Sequence, residues 1–230
     1  MWRSRRACAS GVASKRQGKG SPRVRGSGHS HLAFPPYCGG DSLASAMSNE
    51  TVKLMNQADR ARREHRLADA ERDLSEAVGL CRADAARREL AQALKSLAQI
   101  KRDSGHADAA RPLYEEAVAI YREEGGPLDL AHTIRHLGDV HRHEGHAKLA
   151  EDCYLAALAL YRGRQETPPL DLANAIRPLA ILKDDAGEVE EARRLWEQAR
   201  ELYVGVNVEA GVAESSARLA RLAHRQESAE

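Results

Sequence analysis

The sequence predicts an all-α fold, a solenoid built from antiparallel helix pairs, and three observations carry that prediction. A segment of about forty residues recurs: Gly105-His106, Ala110, Tyr114, Ala117, Ile120, Tyr121 returns as Gly145-His146, Ala150, Tyr154, Ala157, Leu160, Tyr161, and again as Gly187, Ala192, Trp196, Ala199, Leu202, Tyr203. The glycine spacings are 40 and 42 residues, and a fixed period of that size marks a stacked helical array. Within each repeat the apolar residues step by three and four, the period of a buried helical stripe. Composition agrees, because one Phe, two Trp and abundant Ala, Leu, Arg and Glu suit helices that touch at small residues and carry charge outside.

Along the chain, residues 1–46 differ in kind from the rest. They hold eight Lys or Arg against Asp41 alone, a net of +7, which leaves −6 to the remainder of a chain of formal charge +1. They are rich in Gly, Ser and Arg, without helical periodicity, and read as a disordered basic leader. Three readings stay open for it: translation starting at Met47, an organelle transit peptide, or a basic arm that touches nucleic acid.

From residue 47 the chain divides into a degenerate first unit (47–86), three regular units (87–126, 127–168, 169–208) and a terminal capping helix (209–227). In the second unit Leu90, Leu94, Leu97 and Ala98 share one face of a first helix, and Gly105 ends it by taking the left-handed conformation. A second helix follows with Ala110, Leu113, Tyr114, Ala117 and Ile120 on its apolar side. The matching first helices carry Leu130, Ile134, Leu137 and Gly138, then Leu172, Ile176, Leu179 and Ala180. Gly125-Gly126-Pro127-Leu128-Asp129 and Thr167-Pro168-Pro169-Leu170-Asp171 supply turns with an acid in the first helical turn, where the helix dipole favours it. The first unit keeps Ala58, Ala70, Leu74 and Ala77 but lacks the glycine. The last keeps Val212, Leu219, Ala220 and Leu222 and stops after one helix, as a cap does.

The phased small and large residues at Leu97-Ala98, Ala110, Tyr114, Ala117, at Leu137-Gly138, Ala150, Tyr154, Ala157 and at Leu179-Ala180, Ala192, Trp196, Ala199 are similar to the tetratricopeptide repeat signature. The 40–42 residue period resembles the longer repeats of the kinesin light chain type. That resemblance implies a right-handed superhelix whose first helices line a concave groove for an extended peptide or partner helix, with no cofactor. The family's carboxylate-clamp arrangement of Lys and Asn is not reproduced.

Steps of three and four place Gln92, Lys95, Ser96, Gln99 and Arg102 on the groove side of one first helix. His132, Arg135, His136, Asp139, Arg142 and His143 follow on the next, and Asn174, Arg177, Pro178, Ile181 and Asp184 on the one after. Two cationic ladders result: Lys95, Arg135, Arg177, and Arg62, Arg102, Arg142. Stacked cations in a groove point to an acidic peptide held by charge-assisted hydrogen bonds, and the bland alternative is cations paired to the chain's own acids, Asp139 among them. His132, His136, Asp139 and His143 lie on one stripe with the ligand types of a zinc or nickel site, yet Arg135 and Arg142 beside them oppose a cation. Groove imidazoles at the ordinary histidine pKa of about 6.5 would instead make binding pH-sensitive.

No phosphate loop, GxSxG or HExxH motif is present, and Cys153 reads as a half-buried structural thiol. Cys8, Cys38, Cys81 and Cys153 form no CxxC pair and read as reduced thiols of a cytoplasmic protein, or of an organelle matrix if the leader is a transit peptide. No apolar run approaches the ~18 residues that span a bilayer. The sequence therefore reads as a non-enzymatic interaction scaffold for a protein or peptide partner, with self-association through the end helix as a further option. The alternatives are a sensor domain for a small anion or metal and a nucleic-acid contact through the leader.

Overall fold

The computed structural model describes residues 49–227; the leader, with Cys8 and Cys38, lies outside the described residues. Nine helices occupy that span: α1 (Asn49–Arg63), α2 (Leu67–Ala83), α3 (Arg87–Asp103), α4 (Ala107–Glu124), α5 (Pro127–His143), α6 (Ala147–Arg162), α7 (Pro169–Asp185), α8 (Val189–Gly205) and α9 (Glu209–Glu227). Each packs on the next, and α3 also reaches α5 and α5 reaches α7, whereas no pair of even-numbered helices among the described residues comes comparably close. The odd helices thus form the inner wall of the array.

The repeated residues are its core. Tyr114, Tyr154 and Trp196 are buried at one repeat position, Tyr121, Tyr161 and Tyr203 at a second, and Ala110, Ala150, Ala192, Ala117, Ala157 and Ala199 are fully buried. Gly138 has a packing reason: a Cβ there would stand 2.7 Å from Tyr154 Cε1 and 3.0 Å from Cys153 Cβ.

Six of the eight turns between the described helices follow one rule. At the end of α5 the Gly145 amide donates to the Arg142 carbonyl at 3.1 Å and the His146 amide to the His141 carbonyl at 2.8 Å, with Gly145 at φ +80°. This pair of bonds is the Schellman motif, which closes a helix through a left-handed residue and turns the residue after it back onto the last helical turn. The same bonds recur after α1, α2, α3, α7 and α8. Glycine supplies the left-handed residue after α3 and α7, but His65, Ala85 and Asn207 supply it after α1, α2 and α8.

Candidate functional site

The inner wall is set by the odd helices, and its polar residues are knitted from one helix to the next. Lys95 on α3 donates to Asp129 Oδ1 on α5 at 2.9 Å and lies 5.6 Å from the centre of the Tyr121 ring. Arg177 on α7 grips Glu214 on α9 through two bonds of 2.6 and 2.9 Å. Arg62 on α1 reaches Asp103 on α3 at 3.3 Å. The cationic ladders are therefore largely inter-unit staples, in line with the bland alternative for them. On the fourth unit the groove expectation needs correcting, because Pro178, Ile181 and Asp184 are buried and Asp184 is ringed by Arg218, Arg221 and Arg225 of α9 at 3.3, 2.5 and 2.9 Å. Asn174 accepts a hydrogen bond from Tyr203 Oη at 2.9 Å.

The middle of the wall, on α3 and α5, is different. Asp139 accepts from Tyr154 Oη at 3.0 Å, and Arg102 and Arg135 stand 3.4 and 3.9 Å from its Oδ2. His136 stacks on the Tyr114 ring at 5.9 Å and touches Arg102 at Nδ1 and Arg135 at Nε2, both at 3.0 Å. A neutral imidazole accepts at one nitrogen only, so one guanidinium donates to it and the other nitrogen keeps the proton. Arg135 Nε and Tyr114 Oη are buried and make no hydrogen bond. Gln99 is half-buried on α3, and Arg142 is exposed beside the Tyr154 hydroxyl.

Burial governs the electrostatics here. It drives the His136 pKa down to about 4, with Asp139 opposing the shift and Arg135 and Arg102 reinforcing it. For Asp139 burial favours the neutral acid, yet His136, Arg135 and Arg102 outweigh it and the pKa falls below the usual value. His132 is likewise lowered, first by burial, despite Asp171 Oδ2 at 3.3 Å from its Nε2. That Nε2 makes no hydrogen bond, so the contact is electrostatic only. The expectation of groove imidazoles titrating near 6.5 is accordingly revised for His132 and His136.

The histidine stripe does not assemble a metal site. His132 turns to Asp171, His136 and Asp139 are held by arginines, and His143 is exposed. Cys153 is half-buried, and burial pushes its thiol up to about 11, which removes it as a nucleophile at neutral pH. No helix among the described residues is long and apolar enough to cross a membrane.

Residues 89–163 match the family model for the tetratricopeptide repeat. The array has the fold of a tetratricopeptide-repeat solenoid. Its fold is similar to that of a kinesin light chain protein of nearly identical TPR-like repeats from Podosopora anserina, at 19% identity over 79% of this chain and 92% of that one, with a TM-score of 0.63. A Q17M form of that protein gives 0.64 over the same spans. BtubC (BKLC) from P. vanneervenii is similar at TM-score 0.63 and 19% identity over 68% of this chain, which spans 64% of that protein. No curated protein matches the chain in sequence. The tetratricopeptide solenoid is in general a non-catalytic scaffold for protein partners.

Proposed function

We propose that this solenoid is a non-enzymatic adaptor that takes an acidic peptide segment on the α3–α5 part of its inner wall. The observation that carries the reading is a local excess of cations: Arg102 and Arg135 share the buried Asp139, Arg102 also shares Asp103 with Arg62, and Arg142 lies beside the Tyr154 hydroxyl that donates to Asp139, so two carboxylates neutralise only part of the charge of four arginines. Guanidinium groups bind carboxylates through paired, planar hydrogen bonds, which suits them to such a segment. Lys95 and Arg177 play a lesser part because Asp129 and Glu214 already occupy them. His132, His136, Gln99 and Asn174 shape the wall as neutral polar groups.

The test is binding of the full chain to an array of fluorescent peptides that vary in charge and order. Acidic peptides bind the wild type, and Arg142→Glu weakens them at least tenfold while leaving circular dichroism unchanged. Arg142 suits the test because it is exposed and outside the buried core. Equal binding of neutral and acidic peptides, or indifference to Arg142→Glu, would sink the acidic-segment reading.

A further inference from the structure

The turn joining α5 to α6 carries a group of side chains that the inner wall does not use. His141 occupies the last turn of α5, Glu144 caps that helix and His146 precedes α6. One ligand atom from each lies within 4.8 Å of the other two. Glu144 Oε2 stands 3.3 Å from His146 Nδ1 and 3.7 Å from His141 Nδ1. Neither spacing is used: Glu144 Oε2 and His141 Nδ1 are both buried and both make no hydrogen bond. Unpaired polar atoms converging on one point in a half-buried setting cost free energy unless a bridging group or ion satisfies them.

The backbone makes the convergence obligatory. The Schellman bonds that close α5 bring the residue after Gly145 against the third residue from the helix end, a contact commonly filled by an apolar pair. At the same place after α7 that pair is Lys183 and Glu188, an ion pair at 3.0 Å, and after α3 it is Lys101 and His106. After α5 alone it is two imidazoles, whose rings lie 6.0 Å apart, with a carboxylate at the cap between them.

We propose that His141, Glu144 and His146 form a binding site for a single divalent transition-metal ion of the zinc class. Bonds of about 2.0–2.1 Å place tetrahedral ligand atoms roughly 3.3 Å apart. The Glu144–His146 spacing already has that value, and the Glu144–His141 spacing closes with a shift of a few tenths of an ångström. Imidazole and carboxylate donors select zinc, nickel or copper over calcium or magnesium. Arg111 Nε donates to the other carboxylate oxygen, Glu144 Oε1, at 3.2 Å, fixing the carboxylate while leaving Oε2 free, and Glu115 lies 4.0 Å from Arg111 to offset its charge. His146 is mostly exposed, so the site opens to solvent and leaves a coordination position to water or to a donor from a partner. The site is separate from the inner-wall reading and stands or falls without it.

The test is titration of the untagged full chain, freed of metal with a chelator, with zinc(II) and then cobalt(II). One equivalent binds, and the cobalt form shows visible d–d bands without a thiolate charge-transfer band. His146→Ala and the isosteric Glu144→Gln each weaken binding at least tenfold with unchanged circular dichroism, while His106→Ala at the equivalent turn changes nothing. Absence of saturable binding, binding that survives both substitutions, or a thiolate spectrum from cysteines elsewhere in the chain would overturn the assignment.

Discussion

Ala85 and His65 sit where the fold demands a left-handed residue, at φ +52° and +58°, and an L side chain in that region costs about 1–2 kcal/mol. Glycine relieves the strain but gives back part of the gain through its freer unfolded state. Ala85→Gly should therefore stabilise the chain by about 1 kcal/mol and raise Tm by roughly 2–4 °C. Gly105→Ala should lower it by a similar amount, and thermal melts of the pair check both signs. Gly138 obeys a different constraint. Alanine is the better helix former by up to about 1 kcal/mol, but its Cβ would fall 2.7 and 2.9 Å from two carbons of the fully buried Tyr154 ring. Overpacking of that kind costs about 1–3 kcal/mol, so the clash wins and Gly138→Ala lowers the urea midpoint. Ala98 and Ala180 stand at the matching positions and are themselves completely buried, so the neighbouring ring decides the residue rather than the helix.

Between elements, the odd helices are joined by charges complementary from one helix to the next, and Asp184 shows the arrangement at its tightest. Its carboxylate is buried on α7 while three arginines of α9 converge on it. In Asp184→Asn those arginines lose their shared anion but still reach solvent, so the effect concentrates on the docking of α9. Hydrogen exchange should show α9 amides losing protection while α3–α6 keep theirs. On α5 the buried His136 makes the array acid-sensitive. Its folded pKa of about 4 lies below the unfolded value near 6.5, so the unfolded chain binds more protons between those values. Stability is full above pH 6.5, falls as pH drops toward 4 by a few kcal/mol at one pKa unit per 1.36 kcal/mol, and levels off below that for this group. Asp139, also depressed, loses its share at still lower pH. Melts from pH 7 to 4.5 should flatten in His136→Gln. The helices and their buried stripes were legible in the sequence because apolar spacing reports directly on a face. The pairing of Lys95 with Asp129, or of Arg177 with Glu214, was not, because it joins residues 34 and 37 apart whose relative height depends on how successive helices stack. The His141–Glu144–His146 group escaped for a related reason. A search at helical steps ends with α5 at His143, and only the left-handed turn at Gly145 folds His146 back.

Over the whole described array, backbone contacts run mainly between consecutive helices, and each odd helix reaches the next odd one, by backbone approach at α3–α5 and α5–α7 and through ion pairs at α1–α3 and α7–α9. Stability in such a chain is close to a sum of unit and interface contributions, unlike a globule with one shared core. The C-terminal end makes this testable. Helix α9 contributes the fully buried Leu222 and places Arg218 5.6 Å from the centre of the Trp196 ring, while its outward face carries Ala213, Ala217 and Ala220, which are exposed. It behaves as a lid on the last interface. Deleting residues 206–230 uncovers Trp196 and leaves Asp184 without its arginines, yet it leaves every contact from α1 to α8 in place. The truncated chain should keep its helical circular dichroism and melt at a lower temperature. Its urea m value should fall by about a tenth, because m follows the surface exposed on unfolding and one helix of nine has gone. Global loss of helicity would instead mean that the units share a single cooperative core, and the nearest-neighbour account of this solenoid would have to be abandoned.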